Sequence, residues 1–229
     1  MADANLRRIG LIALAIGVCV TAAILLTRAY NAPAAVDHRR ARQQVLYYTL
    51  SRIDDPIIVL GDSIGEASTL PRSACGHAIV NAGLNGASTA SDLGKWLAAA
   101  LDNKRAAAII VALGTNDALT NAPDEKAFED RYAALLNDLS KLTTHLAVLA
   151  IPTVETRERL TADMQKEIMT AIDKFNAVLP DIAKRTNATL LPLPEMPSPH
   201  TVDGVHLNAD GYRVWDKAVV QGTALVVRC

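Results

Sequence analysis

The sequence predicts an α/β protein, a three-layer α/β/α sandwich built on a doubly wound parallel sheet. Two observations predict this fold. Apolar segments without charged side chains, such as residues 56–60 (PIIVL), recur along the chain, and such strands are typical of parallel sheets that are buried on both faces. Amphipathic segments with apolar residues at every third or fourth position separate them, as expected of helices that cover the sheet.

The positions of these patterns along the chain predict the individual strands and helices. The predicted strands are Ile57–Leu60, Cys75–Asn81, Ala106–Leu113, Leu146–Ile151 and a weak one at Thr189–Leu193. Between them, three helical faces are formed by Leu93, Trp96, Leu97 and Leu101, by Phe128, Tyr132, Leu135, Leu136 and Leu139, and by Met164, Ile168, Ile172, Phe175, Leu179 and Ile182. A closing helix is predicted at about Ala209–Val226, with Asn208 or Asp210 as its N-cap. We assign these apolar helical faces to the hydrophobic core.

The composition fits one such domain with a sizeable core and a short appendage. The chain has 229 residues, of which 50% are hydrophobic and 21% charged. Its formal net charge of -1 argues against a nucleic-acid partner bound by charge. No G-x-G-x-x-G follows the first strand and there is no P-loop lysine, so nothing supports nucleotide binding. Because no His, Cys, Asp or Glu cluster has metal-ligand spacing, we predict chemistry without cofactor or metal.

The N-terminus departs from the globular pattern. Residues 9–27 contain no charged side chain and are flanked by arginines on both sides. This run is long enough to cross a bilayer and longer than the apolar core of a typical signal peptide. We therefore predict a transmembrane signal anchor over residues 1–28. A cleaved signal is the alternative, because Ala32-Pro33-Ala34 resembles a cleavage site.

Beyond the anchor, we predict a linker and juxtamembrane helix over residues 29–54 and the α/β domain over residues 55–229. Arginines after the span outnumber those before it, which by itself would place the domain in the cytoplasm. Long domains, however, translocate largely regardless of charge, so this count carries little weight. Outside the span, Cys75 and Cys229 are an even pair that could join the C-terminal tail to the edge of the sheet in an oxidising compartment. Two unpaired buried thiols are the alternative. On balance we predict a periplasmic or extracytoplasmic domain on a single-pass membrane protein.

Four polar segments follow predicted strands or precede the closing helix, at the edge where open α/β sheets place their sites. They are Gly61-Asp62-Ser63, residues 81–86 (NAGLNG), residues 114–117 (GTND) and residues 203–206 (DGVH). Each is weak when taken alone, since Ser63 could serve only as a helix cap and GTND is an ordinary turn. Their occurrence together, in this order, is hard to attribute to chance.

In these four segments the chain resembles the SGNH, or GDSL, hydrolase superfamily of esterases and lipases, and the resemblance covers residues 56–219. It implies a flavodoxin-like sheet with Ser63 as nucleophile and with Asp203 and His206 completing a catalytic triad. It also implies that Gly86 and Asn116 help to form an oxyanion hole. The flanking Ala87-Ser88-Thr89 replaces the Asp-Thr that is common after this glycine in the family.

The chemistry of these residue types agrees with that assignment. A serine hydroxyl needs a base within hydrogen-bond reach, and His206 can serve because imidazole titrates near neutral pH. Asp203 would hold its tautomer, and the N–H groups of Ser63 and Gly86 with the amide of Asn116 would meet the oxyanion. Two further expectations concern neighbouring residues. Asp62 and Asp117 are expected to brace turns. His200 is expected to lie in solvent, with a place in the lining of the substrate pocket as the alternative.

The resemblance thus implies a membrane-anchored serine esterase that works through an acyl-enzyme. Residues 203–208 (DGVHLN) resemble the acetylesterase-like branch, which favours an acetyl ester of a carbohydrate or cell-envelope substrate. Alternatives within the fold are a lysophospholipase or thioesterase, and an acyltransferase. A non-catalytic envelope-binding domain is the alternative from another class, and the intact Ser63, Asp203 and His206 argue against it.

Overall fold

The computed structural model describes residues 17, 19–22, 37–157 and 160–229. The chain divides into two units, Met1–Arg42 and Gln43–Cys229. In the first unit the described residues are helical. The predicted span over residues 9–27 lies mostly outside the described part of the chain. Within that part, no helix combines the length and the apolar character that crossing a membrane requires.

A six-stranded sheet forms the centre of the second unit. Its strands are β1 (Ile57–Gly61), β2 (Ser73–Ala74), β3 (His77–Gly83), β4 (Ala108–Ala112), β5 (Leu146–Leu149) and β6 (Thr189–Leu191). They lie in the order β2-β3-β1-β4-β5-β6. The chain leaves β1, adds β3 on one side and then β4 on the other, so the carboxyl end of β1 is the topological switch point of a doubly wound sheet.

The prediction of a wholly parallel sheet is wrong at one edge, where β2 pairs antiparallel with β3. Cys75 and Gly76 form the tight turn between these strands, with φ angles of 57° and 82°. The second strand therefore begins two residues later than predicted, at His77. A strand of two residues is too short to produce an alternating pattern, which explains why β2 was not predicted.

The helices of nine residues or more agree with the predicted ones, whereas the two helices of four residues were not predicted. They are α1 (residues 37–50), α2 (Ser63–Glu66), α3 (Leu93–Leu101), α4 (Thr115–Ala118), α5 (Glu125–Leu139), α6 (Ala162–Arg185) and α7 (Ala209–Val227). Asn208, one of the two predicted N-cap residues, caps α7 with its side chain. Met164 is exposed and does not belong to the core face of α6, because it lies in the first turn of that helix.

Helices cover the sheet on both faces, which confirms the three layers. Alternate residues of β1 point into two separate apolar clusters, with Ile58 and Leu60 in one and Ile57 and Val59 in the other. The first cluster contains buried residues of α3, α5 and α6, including Phe128, whose ring stacks on Phe175 at 4.1 Å. The second contains buried residues of α7. The uncharged sequence of β1 therefore reflects burial on both sides.

A disulfide joins Cys75 to Cys229, whose Cα atoms are 5.7 Å apart. The bond links the turn between β2 and β3 to the second residue after α7, across 154 positions of sequence. Of the two readings of these cysteines, the structure contains the paired one.

Candidate active site

The three central strands end in register, and this brings three of the polar segments to one edge. Gly61 at the end of β1 lies opposite Gly83 of β3 on one side and Ala112 of β4 on the other. Ser63 follows two residues after Gly61, and Asn116 follows four residues after Ala112. The parallel register therefore assembles side chains that are far apart in sequence.

Ser63 is the first residue of α2, and its N-cap is Asp62. The carboxylate of Asp62 accepts the backbone N–H of Ile64 at 2.9 Å and also interacts with that of Gly65. The alternative in which Ser63 serves only as a cap is therefore wrong. The carboxylate of Asp62 is bonded to these two N–H groups, and the N–H of Ser63 has no acceptor among the described residues.

A chain of hydrogen bonds connects Ser63, His206 and Asp203. The Nε2 atom of His206 lies 3.0 Å from Oγ of Ser63, and its Nδ1 atom lies 2.7 Å from Oδ2 of Asp203. With a proton on Nδ1 donated to the carboxylate, Nε2 is free to accept from the serine hydroxyl. These three predicted residues are thus brought together in the arrangement that general-base activation of a hydroxyl requires.

The carboxylate of Asp203 is held by its own loop. Its Oδ1 atom accepts the backbone N–H groups of Val205 at 3.0 Å and of His206 at 2.8 Å. Partial burial by itself would raise the pKa of Asp203, but hydrogen bonds from the His206 ring and these N–H groups outweigh it and lower the pKa to about 2. Asp203 is therefore ionised at neutral pH and able to orient the imidazole.

The loop after β3 is held in place from both sides of Gly86. On one side, the N–H of Asn85 donates to the carboxylate of Glu66 at 2.5 Å. On the other side, the carbonyl of Ala87 accepts from the side-chain amide of Asn116 at 2.8 Å. Asn116 is therefore linked to the predicted oxyanion loop directly.

Asp117 secures the same loop further along. Its buried carboxylate accepts the N–H of Thr89 at 3.0 Å and the Thr89 hydroxyl at 2.5 Å. Arg131 of α5 completes the group, with its Nε donating to the Thr89 hydroxyl at 3.1 Å. These contacts agree with the expected bracing role of Asp117.

Gly86 and Gly83 have different requirements. Gly86 has a φ of +74°, in the left-handed region that favours glycine. Its N–H has no acceptor in the described part of the chain, so the second predicted oxyanion donor is available. Gly83 instead lies against α2, where a Cβ would come within 2.1 Å of the backbone nitrogen of Glu66.

An open cleft of about 370 Å³ lies in front of the nucleophile. It is lined by Ser63, Glu66, Ala67, Asn85 and His206. The lining is small or polar and includes no large apolar side chain. An acyl group of few carbons fits such a surface better than a long alkyl chain, which requires apolar walls.

Asp62 lies behind the nucleophile in an apolar setting. Its side chain is buried, and burial raises the pKa of this carboxyl to about 6, although the N–H groups of Ile64 and Gly65 oppose that shift. Asp62 thus braces the turn, as expected, and is close to changing its protonation state near neutral pH.

Two acidic residues near the site were not anticipated from the sequence. Glu66 lines the cleft, and Glu155 bonds the loop that precedes Asp203. His200 was expected in solvent, but it is buried, with Nε2 at 3.1 Å from the hydroxyl of Thr153. Glu66 and His200 could have been found from the sequence only because they lie close to Ser63 and Asp203, respectively. Glu155 offered no such signal, because the fold alone brings it to its partners.

Residues 59–214, which contain all four polar segments, match the family model described as the GDSL-like lipase/acylhydrolase family. No curated protein sequence matches the chain.

Several solved structures share the fold. A Streptococcus pneumonia protein described as a candidate platelet activating factor has a TM-score of 0.70 and 22% identity, covering 88% of this chain and 98% of its own. A lipase/acylhydrolase from Enterococcus faecalis has a TM-score of 0.56 and 19% identity, covering 73% and 94%. A catalytic mutant of Axe2, an acetylxylan esterase from Geobacillus stearothermophilus, has a TM-score of 0.56 and 15% identity, covering 73% and 93%. On the match over residues 59–214, this chain belongs to the GDSL-like lipase/acylhydrolase family.

Proposed function

We propose that the chain is a serine ester hydrolase in which Ser63 is the nucleophile, His206 the general base and Asp203 the residue that orients it. The observation that carries this proposal is the unbroken hydrogen-bond chain from Ser63 Oγ through the imidazole to Asp203. The family supports hydrolysis of acyl groups in general. The roles of the three residues are those that the resemblance of their segments implies, and their hydrogen bonds support these roles.

In the proposed reaction, Nε2 of His206 takes the proton of Ser63 as Oγ attacks the carbonyl carbon of the ester. The tetrahedral intermediate collapses when the leaving alkoxide takes that proton back from Nε2, and an acyl-enzyme remains. Water then attacks the acyl carbon and gives its proton to His206. The acid leaves as Ser63 Oγ regains the proton, so that the enzyme returns to its starting state.

Three donors support stabilisation of the oxyanion. The N–H groups of Ser63 and Gly86 are not bonded by any described residue, and one N–H of the Asn116 amide remains after the other has bonded Ala87. Preorganised donors of this kind act where charge develops, and each is worth roughly 3 to 4 kcal/mol in comparable sites.

For the substrate, we propose an acetyl or similarly small acyl ester of a carbohydrate or cell-envelope component. The small and polar lining of the cleft supports a short acyl group. The fold is also that of an acetylxylan esterase, which makes an acetylated glycan a reasonable first substrate to test.

We also propose an extracytoplasmic location with attachment to the membrane through residues 1–28. The disulfide between Cys75 and Cys229 supports the location, since such bonds persist mainly in oxidising compartments. The uncharged run at residues 9–27 supports the attachment. Enzymatic reporters fused after the last residue would report the cytoplasm if the proposed orientation were wrong.

The activity is tested with the full-length protein, in mild detergent, on p-nitrophenyl esters of increasing chain length and on acetylated oligosaccharides. We expect hydrolysis of the acetyl esters, a decline as the acyl chain lengthens, and loss of turnover in Ser63→Ala. Equal inactivity of both proteins on every ester would overturn the proposal. A preference for long chains would favour a lysophospholipase, and acyl transfer to an added alcohol in place of hydrolysis would favour an acyltransferase.

A further inference from the structure

We infer that Glu155 is a positioning residue for the loop that carries Asp203 and His206. This inference rests on the proposed function of that pair. Glu155 lies in the segment between β5 and α6, and it makes no hydrogen bond to Ser63 or His206 in the described structure. Any effect on the reaction must therefore pass through the loop.

The carboxylate of Glu155 collects hydrogen bonds from three residues of that loop. Its Oε1 atom accepts from the hydroxyl of Ser198 at 2.9 Å. Its Oε2 atom accepts the N–H of His200 at 3.0 Å, the N–H of Thr201 at 2.9 Å and the hydroxyl of Thr201 at 2.6 Å. A single side chain thus holds residues 198–201, which end two positions before Asp203.

The backbone of Glu155 holds the loop at a second point. Its N–H donates to the carbonyl of Gly204 at 2.8 Å. Arg157 adds a third contact, with Nη2 at 3.2 Å from the carbonyl of Thr201 and at 3.8 Å from Oε2 of Glu155. Asp203 therefore lies between two residues that are both bonded to Glu155, namely Thr201 and Gly204.

Charge and burial make this arrangement persistent. The side chain of Glu155 is only 13% exposed. Burial alone would raise the pKa of its carboxyl, but the bonds from Thr201, Ser198 and His200 outweigh burial and lower the pKa to about 2. Bonds to a charged acceptor are stronger than neutral ones, and this acceptor stays charged throughout the neutral range.

The consequence concerns the distance between His206 and Ser63. Asp203 orients His206 only if its own backbone is fixed, and an error of about 1 Å in the position of a catalytic group can reduce turnover about 100-fold. Loss of the carboxylate would release residues 198–201 while leaving every reacting group in the sequence. The expected defect is therefore in turnover and not in substrate binding.

The test compares Glu155→Ala, Glu155→Gln and Asn176→Ala in the full-length protein. Asn176 is the matched control, because it bonds both backbone groups of Ile151 in the same segment but contacts no residue of the loop among those described. We expect Glu155→Ala to reduce kcat on p-nitrophenyl acetate about 100-fold with KM changed by less than about twofold. Glu155→Gln retains an acceptor of the same shape and should therefore keep most of the wild-type kcat.

A second readout does not depend on turnover. The proton on Nδ1 of His206, bonded to Asp203 at 2.7 Å, should give a downfield NMR signal in protein labelled at histidine. We expect Glu155→Ala to lose this signal, whereas Asn176→Ala and Glu155→Gln keep it. If Glu155→Ala does not fold, Thr201→Val removes one of the bonds to Glu155 and should give a smaller loss in the same direction.

The outcomes separate this inference from the proposed function. One outcome is that the wild type hydrolyses esters and that Glu155→Ala retains both kcat and the NMR signal of His206. The positioning role is then overturned and the esterase stands. The same holds for Thr201→Val where it is used in place of Glu155→Ala. If the wild type is inert on all esters but the signal depends on Glu155, the esterase falls and the positioning role stands. Absence of the signal in the wild type, or an equal loss in Asn176→Ala, overturns the positioning role.

Discussion

The side-chain amide of Asn116 donates to the carbonyl oxygen of Ala87 at 2.8 Å. An amide nitrogen carries two N–H groups, and the second has no acceptor among the described residues. One side chain can therefore hold the oxyanion loop and present a donor to the reaction. The two roles are coupled, because a loop that moves would carry the Gly86 N–H with it.

Asn116→Ala should reduce kcat by about 10²- to 10³-fold, since it removes a donor and releases the loop. Asn116→Asp should be at least as severe, because a carboxylate oxygen would face the Ala87 carbonyl in place of an N–H. Initial rates on p-nitrophenyl acetate measure both. Asn137→Ala, at an exposed position of α5, is the control. Wild-type turnover in Asn116→Ala would remove Asn116 from the oxyanion hole.

Glu66 offers a way to separate hydrogen bonding from charge. Glu66→Gln keeps an oxygen for the Asn85 N–H, so we expect kcat close to wild type, whereas Glu66→Ala should lose roughly tenfold as the loop loosens. Because Glu66 lines the cleft, removal of its charge should also lower KM for an ester with an anionic acyl group. Steady-state kinetics with acetyl and succinyl esters test this, and Glu167→Gln on the exposed side of α6 is the control.

Gly83, at the end of β3, and Gly86, in the loop that follows, should differ in their tolerance of a methyl group. In Gly83→Ala the Cβ would meet the backbone of Glu66 at 2.1 Å, and we expect destabilisation by at least about 3 kcal/mol. In Gly86→Ala the Cβ would have no atom within 4 Å. The only cost is that of placing alanine in a left-handed backbone conformation, which should lower the free energy of unfolding by about 1 to 2 kcal/mol. Urea denaturation of both variants gives the order, and a larger loss in Gly86→Ala would contradict it.

Asp62 should make stability depend on pH in a defined window. Its pKa is raised by burial from 3.8 to about 6, so the folded state binds the proton more tightly than the unfolded chain. The resulting stabilisation is complete below about pH 4 and is lost as the pH rises through about 6. Asp62→Asn lacks this titration. From about pH 4 to about pH 8, the free energy of unfolding of the wild type should fall by about 2 kcal/mol relative to the variant.

Denaturation at several pH values measures this difference. A constant difference between the two proteins across the window would show that Asp62 is not buried as described. Asp92→Asn is a suitable control, because the carboxylate of Asp92 is exposed at the N-terminus of α3.

The sequence predicted the central features well because they depend on local patterns. Burial on both faces made β1 free of charge, and the motif residues Ser63, Gly86 and Asn116 come shortly after strand ends. The i to i+3 spacing of Asp203 and His206 allowed one loop to hold both. Each of these signals lies within a few residues of the feature that it predicts.

What the sequence did not predict depends on contacts between distant segments. Glu155 bonds residues that lie more than 40 positions later, and no local pattern marks such a partner. His200 resembles a solvent-exposed loop residue until the segment around Thr153 covers it. The antiparallel strand β2 was missed for a different reason, since it has only two residues.

The disulfide between Cys75 and Cys229 has a consequence for assembly. It closes a covalent ring of chain that contains β3 to β6, and with them Gly86, Asn116, Asp203 and His206. The strand that precedes Ser63, β1, lies outside this ring, yet it fills the position between β3 and β4. A chain with the bond intact and β1 undocked would hold the base and two of the three oxyanion donors without the nucleophile, so recovery of turnover during refolding should report the insertion of this one strand.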